Sequence, residues 1–284
     1  MHVNSWREIK QEGLGRTGIV FIILVVAMGI LAPLLTSYQP SGYAGPVFSP
    51  PSPRHWLGTN DVGQDIWTHL LYGARTSLAV GCGVGLLSTM LSIVAGGTAA
   101  LCGGLYDRIL MRLVDALIII PPVIVVILAA AYLRPNTMLL VVLLSALLWP
   151  GGARVVRAQT LSLQEKMSVS AARTFGASRR HLLFRHIVPD LGPVLVAIAI
   201  QDIRRAVFME AGLSFLGVSD PSLISWGKMM QQALQFIYLD AWKWWLLPAG
   251  LSLAVTVSGF TFVGFTLETS LNPRLRREVK HAAS

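Results

Sequence analysis

Charge is scarce in this chain. Of its 284 residues only 13% are Asp, Glu, Lys or Arg, where a soluble domain carries about 25%. That shortage argues against a soluble globular fold. Cysteine is scarcer still, with only Cys82 and Cys102. Both fall in one apolar run, where a helix would hold them about 30 Å apart. A disulfide needs Cα atoms within about 7 Å, so they cannot pair along that helix. Small residues packed in a lipid-embedded helix are the simpler reading. No Cys/His spacing of the metal-binding kind occurs.

Catalytic patterns are missing too. There is no His-Glu-X-X-His, no Gly-X-Ser-X-Gly and no Cys-X-X-Cys. The one Gly-Lys pair, Gly227-Lys228, is followed by Met229 and lacks a phosphate-cradling glycine run before it. No catalytic residue and no metal site is therefore assigned, and the chain is not expected to hydrolyse ATP. Any work it performs must be supplied from outside.

What the chain has in abundance is apolar length. It is 54% hydrophobic, with a mean hydropathy of +0.61. A spanning helix needs about 20 such residues. Gly18–Leu35, Thr76–Tyr106, Ala116–Leu133, Pro135–Ala153 and Trp244–Leu267 qualify. A sixth run, Ile187–Met209, is interrupted by Asp190, Asp202, Arg204 and Arg205. The expected fold is an all-α polytopic membrane protein of about six transmembrane helices. A cleaved signal peptide is a weaker account of the first run, since its apolar region would be unusually long and no small-X-small site follows.

The net charge is +9. In a soluble chain this would suggest nucleic acid, but topology explains it better and no nucleic-acid partner is expected. With the N-terminus inside, the six-span arrangement places 16 of the 23 Lys and Arg on the cytoplasmic side. That bias obeys the positive-inside rule. It puts both termini and the 154–186 loop in the cytoplasm.

Between the spans the composition changes. Residues 36–75 hold Pro40, Pro46, Pro50, Pro51 and Pro53, which rule out a long regular element there. Asp61 or Thr59 could cap a following helix, with Ile66, Leu70 and Leu71 on one face. Trp67 and Tyr72 suggest that this helix lies at the outer membrane interface. Gly81–Gly85 and Gly96–Ala100 are small-xxx-small spacings that let helices approach closely. Pro121-Pro122 should kink or unwind the third span, and gating is a candidate role. Charges inside the membrane are functional candidates by default. Asp202 is a low-ranked pathway candidate, read as an ion-pairing group near the outer boundary. Asp115 is expected at the cytoplasmic interface, paired with Arg112 or Arg108.

One segment stands apart. Ser168–Asp190 is a polar, cationic island carrying Arg173, Arg179, Arg180 and Arg185, with Gly176 able to break a short helix. Its Ala171, Ala172, Gly176, Ile187 and Pro189 resemble the "EAA" loop of ABC-transporter permeases, with Ser170 in place of the Glu. Residues Leu57, Gly58, Thr59, Asp61 (shifted by one), Gly63, Asp65, Tyr72, Gly73, Ala74, Arg75, Ser77 and Leu78 resemble the outer motif of the dipeptide/oligopeptide/nickel uptake permeases. Asn60 and Gln64 depart from it. Glu210–Gly217, then Asp220–Gly227 and Met229, are similar to a second outer loop of that family, and Asn272-Pro-Arg-Leu-Arg276 to its tail. Where the family often has Gly-Asp late in the last span, this chain has Gly264-Phe265.

The resemblance covers roughly residues 55–276 and implies a MetI-like permease core with an extra N-terminal helix. The expected layout is a lead and first helix over 1–36, a Pro-rich segment and interfacial helix over 37–73, and a core over 74–270. The core holds a coupling loop at 154–186 and an outer loop at 210–243, and a cytoplasmic tail follows over 271–284. The implied function is the transmembrane subunit of an ATP-driven importer of peptides, nickel or metal chelates, or similar solutes. It would sit as a multi-pass protein in a bacterial or archaeal plasma (inner) membrane.

Implied partners are a second homologous permease, two ATP-binding subunits, an extracytoplasmic substrate-binding protein and the lipid bilayer. ATP and Mg would be bound by the ATPase subunits, with no cofactor on this chain. Coupling would run through the 165–186 loop, with Ser170, Ala171, Ala172, Arg173, Phe175, Gly176, Arg179 and Arg180 as its residues. Gly58, Thr59, Asp65, Arg75, Glu210, Trp226 and Gly227 are the outer-motif candidates. Glu210 is read as ordering the outer loop rather than binding solute. A self-contained secondary transporter is the alternative, but it would need its own coupling-ion site and often an internal repeat, and no repeat is visible.

Overall fold

A computed structural model describes residues 13–133, 136–218, 220 and 222–271. The basic lead before Gly13 and the Asn272–Arg276 tail motif lie outside the described residues. Among the described residues the regular structure is helical, with one isolated bridge between Thr59 and Asp65. Four helices are long and apolar enough to cross a membrane alone, and two bent pairs bring the number to as many as six.

The first helix, α1 (Gly13–Leu35), packs along the last one, α10 (Trp242–Leu271). Between them the chain builds α2 (Ile66–Cys102), α3 (Gly104–Ile119), α4 (Pro122–Leu133) and α5 (Thr137–Gln164). A short α6 (Met167–Thr174) follows, then α7 (Arg179–Asp190) with a π-helical turn at Leu182–Ile187. The chain closes with α8 (Gly192–Phe215), α9 (Trp226–Gln235) and α10.

The centre of the bundle is α2, flanked by α5 and α8. Between helices in lipid, close packing rather than water release supplies the attraction. The small residues of α2 provide it. A Cβ on Gly81 or Gly85 would lie 2.7 or 2.5 Å from Val207 or Ile203 of α8, and one on Gly96 would lie 2.3 Å from the Ala153 carbonyl of α5. The two small-xxx-small spacings are thus the contact lines of the central helix.

Several boundaries differ from the sequence reading, each for a local reason. Among the described residues the helix expected before residue 74 is not separate, because α2 runs unbroken from Ile66 through residues 73 and 74. Its cap is Asp65, not Asp61 or Thr59, and the Asp65 side chain accepts from the Thr68 N–H. Thr59 points instead at the Pro46 carbonyl. The third span is broken at Ile120–Pro121, where α3 and α4 meet at 77°. Proline lacks the N–H that would continue the ladder. The run beginning at Ile187 becomes two helices at 76°, and α8 begins only at Gly192, with Pro193 in its first turn.

Candidate functional site

The polar island folds into a compact loop at one end of the bundle. Helix α6 ends at Thr174, and Gly176 follows in the left-handed region, at φ +81°. The Gly176 N–H donates to the Arg173 carbonyl, and the Ala177 N–H to the Ala172 carbonyl, at 3.0 and 3.1 Å. That pair of bonds is a Schellman cap, which favours glycine because only glycine takes this conformation without a Cβ penalty. Ser178 then caps α7 by accepting from the His181 N–H.

The loop is held down by Val169, Leu182, Leu183 and Ile187, which are buried with Leu101, Val156 and Leu191. Lys166 Nζ donates to Asp190 across its base at 2.8 Å. Gln164 donates to the Ala100 carbonyl of α2 at 3.0 Å.

What the loop turns outward matters more. Phe175 is 90% exposed and Met167 87% exposed. Ser170, Ala171, Arg173, Gly176, Arg179 and Arg180 are exposed as well, and Ala172 is partly covered. Among the described residues none of Arg173, Arg179, Arg180 or Arg185 has a carboxylate within ion-pair reach. Arg179 reaches only the Cys102 sulfur, at 3.7 Å. Seven of the eight loop candidates are therefore exposed, among them an aromatic ring and three guanidinium groups without a carboxylate partner, while Ala172 packs against the buried cluster beneath.

At the opposite end the outer-motif residues serve the fold. Asp65 accepts from the Thr68 N–H and hydroxyl, both at 2.8 Å, and its other oxygen lies 3.0 Å from His55 Nδ1. Gly58 has φ +71°, and a Cβ there would lie 2.2 Å from the Ser49 carbonyl. Asn60 and Gln64, which depart from the family pattern, bond to each other at 2.9 Å. Trp226 is fully buried and donates its indole N–H to the Leu70 carbonyl at 3.0 Å. A Cβ on Gly227 would lie 2.2 Å from the Ala211 carbonyl. Ser77 of α2 and Ser214 donate to the buried Glu210 carboxylate at 3.0 and 2.8 Å. Arg75 lies 5.4 Å above the Tyr72 ring. Outside the spans, the Ser222 hydroxyl and N–H bind Asp220 and hold its carboxyl below the usual range.

Two intramembrane readings change. Asp115 pairs with Arg154 of α5, not with Arg112 or Arg108. Beside it Arg157 grips Asp107 through Nε and Nη2, at 2.5 and 2.6 Å. Both arginines sit on a stretch of α5 beyond the apolar run, so they reach sideways to α3. Asp202 stands near the middle of α8, about 15 Å from its start.

A charged group at such depth costs about 3 kcal/mol or more unless it faces protein or water. Asp202 has both. The Ser88 hydroxyl donates to it at 2.7 Å, and Arg205 Nη1 lies 3.7 Å away. It lines a cavity of about 560 Å3 between α5, α8 and α10, together with Gly152, Gln159, Ile198, Gln201, Arg205, Gly264 and Glu268. Sequence reading had only Asp202 here. Gln159, Arg205 and Glu268 lie on three separate helices, and no spacing in the sequence links them. Pro121 and Pro122 lie at the α3–α4 break and do not line this cavity.

A bundle of helices long and apolar enough to span, a largely apolar cavity set with a few charged groups, and an exposed basic loop are the features of a transport protein of the permease class. Residues 88–277, about two thirds of the chain, match the family described as "Binding-protein-dependent transport system inner membrane component". The chain belongs to that family. It is 35% identical over 282 residues to the oligopeptide transport system permease protein OppC of Bacillus subtilis (strain 168), covering 97% of this chain and 92% of that protein. It is 36% identical over 275 residues to a putative peptide transport system permease protein of Brucella abortus, with 96% and 92% covered. It is 32% identical over 277 residues to the dipeptide transport system permease protein DppC of Bacillus subtilis, with 96% and 86% covered. The chain is thus a multi-pass membrane permease component of an ABC transporter, and the self-contained secondary transporter gives way.

Proposed function

We propose that this permease forms one half of the path by which short peptides enter a cell, beside a second, homologous permease. Peptides are preferred over nickel or metal chelates because the relatives named above are peptide permeases. An extracytoplasmic binding protein delivers the solute, and two ATPase subunits bind ATP and Mg and supply the work. The termini and the 165–186 loop face the cytoplasm.

The observation that carries this reading is the exposed surface running from α6 through Gly176 to the start of α7. An exposed phenylalanine beside three guanidinium groups without carboxylate partners suits an acidic, apolar-centred cleft. The exposed Ser170 hydroxyl makes no hydrogen bond among the described residues. Closure of the ATPase pair would push α6, and the buried Leu182, Leu183 and Ile187 would pass that push to α2, α5 and α8 as rigid bodies.

The test is co-purification and uptake in proteoliposomes holding both permeases and both ATPase subunits, with the binding protein supplied. Phe175→Asp is expected to remove the ATPases from the purified complex and to reduce ATP-driven peptide uptake at least about tenfold, since a buried aromatic anchor is worth about 2 kcal/mol or more. Uptake that persists with no ATPase present would overturn the reading.

A further inference from the structure

The cavity between α5, α8 and α10 has a composition the permease role does not by itself require. Most of its wall is small or apolar: Gly152, Ile198 and Gly264 stand beside Val155 and Ala197. Set into that wall are two carboxylates and one guanidinium, Asp202, Glu268 and Arg205. Such a lining, apolar with a few convergent polar groups, is that of a small-molecule site.

Asp202 and Arg205 form one ion pair within a turn of α8, but a long one that leaves hydrogen-bonding capacity on both. Asp202 accepts the Ser88 hydroxyl with one oxygen, and its other oxygen lies 3.7 Å from Arg205 Nη1, beyond hydrogen-bond length. Half of the Arg205 side chain is exposed. Glu268 is exposed and makes no hydrogen bond or ion pair among the described residues. Asp202 is fixed from behind. The Ser92 hydroxyl donates to the carbonyls of Ser88 and Trp149 at 2.8 and 2.9 Å, so α2 and α5 are tied at the point where Ser88 holds the carboxylate. The carboxylate is thereby aimed at the cavity by a polar seam across three helices. The amides of Gln159 and Gln201 add uncharged donors and acceptors to the same wall.

We propose that this cavity is a transit site for zwitterions, in which Arg205 meets a free carboxylate and Asp202 with Glu268 meets a free ammonium group. The solute class is the short peptide with both termini free, and the proposal rests on the peptide-importer reading given above. The apolar wall accepts varied side chains, while the charged groups engage what every such peptide shares. A solute lacking either terminal charge leaves a charged group unmet at membrane depth.

The experiment uses the complete transporter in proteoliposomes, with saturating binding protein and radiolabelled tri-alanine, its C-terminal amide and its N-acetyl form. Each variant is compared with wild type on the same peptide, so the binding protein's own selectivity cancels. Arg205→Gln is expected to slow tri-alanine uptake about tenfold or more, as loss of a charge-assisted bond does, and to slow the amide far less. Glu268→Gln and Asp202→Asn are expected to slow tri-alanine and spare the N-acetyl form. Variants that transport all three peptides at wild-type rates, or lose all three equally, would overturn the zwitterion site while leaving the importer intact. A wild-type transporter that moves none of the three would overturn both readings.

Discussion

Two glycines in this chain are held for opposite reasons, and substituting them separates fold from coupling. Gly227 has the Ala211 backbone in the place of its side chain. Gly176 has nothing within 4 Å of that place but sits at φ +81°. Gly227→Ala forces helix α9 off α8, an overpacking cost of about 1–3 kcal/mol. It is expected to lower the thermal midpoint of the detergent-solubilised complex by several degrees. Gly176→Ala pays about 1–2 kcal/mol for a left-handed alanine, confined to an exposed turn. It is expected to leave the midpoint nearly unchanged and to reduce peptide uptake, because the turn that presents Phe175 relaxes. Equal effects of the two substitutions on both readouts would contradict this division. From the sequence, Gly176 was legible as a breaker from its polar setting. Gly227 was legible only as part of a motif, because a steric reason needs the neighbouring helix.

At the scale of elements, one carboxylate organises the end of the bundle formed by residues 36–65. Asp65 closes the first turn of α2, binds the Thr68 hydroxyl and faces His55, so it joins the longest helix to the Pro-rich segment. Asp65→Ala is expected to cost about 1–2 kcal/mol, the worth of a strong N-cap. Because His55 and Thr68 lose their partner together, the segment from Ala44 to Asn60 should open to protease and to hydrogen exchange. Asp65→Asn keeps an acceptor for the Thr68 N–H and should show a smaller change. Protection of that segment unaltered by Asp65→Ala would show that the segment is held by its own turns. Periodicity located α2 but not its start. Apolar patterning reports the lipid-facing length, whereas the boundary is set by a side-chain bond over three residues. The bends at Pro121 and before Gly192 had clearer signals, since proline and glycine act on their own backbone.

The whole molecule is polarised, and its polarity is where sequence and structure inform each other most. The apolar runs and the basic bias predict an orientation without any contact being known. The cavity was out of reach, because Gln159, Arg205 and Glu268 meet only when three helices pack. Orientation also decides what both proposals mean. The 165–186 loop can meet an ATPase only if it lies on the ATP side, and then the Pro-rich segment must lie on the other. Impermeant maleimide labelling separates the two. The native thiols Cys82 and Cys102 are exposed, so they are first replaced by Ala. A single reporter is then placed by Phe175→Cys or by Val62→Cys, the latter site being 55% exposed in the other loop. In inside-out vesicles stripped of peripheral subunits, the residue 175 thiol is expected to label and the residue 62 thiol to stay protected. In intact cells with a permeable outer envelope the order should reverse. Labelling of both sites from one side would place the two loops on the same face, which an odd number of crossings between residues 62 and 175 forbids. The crossings there are α2, the bent α3–α4 pair and α5, so a same-side result would show that the bent pair re-enters instead of crossing.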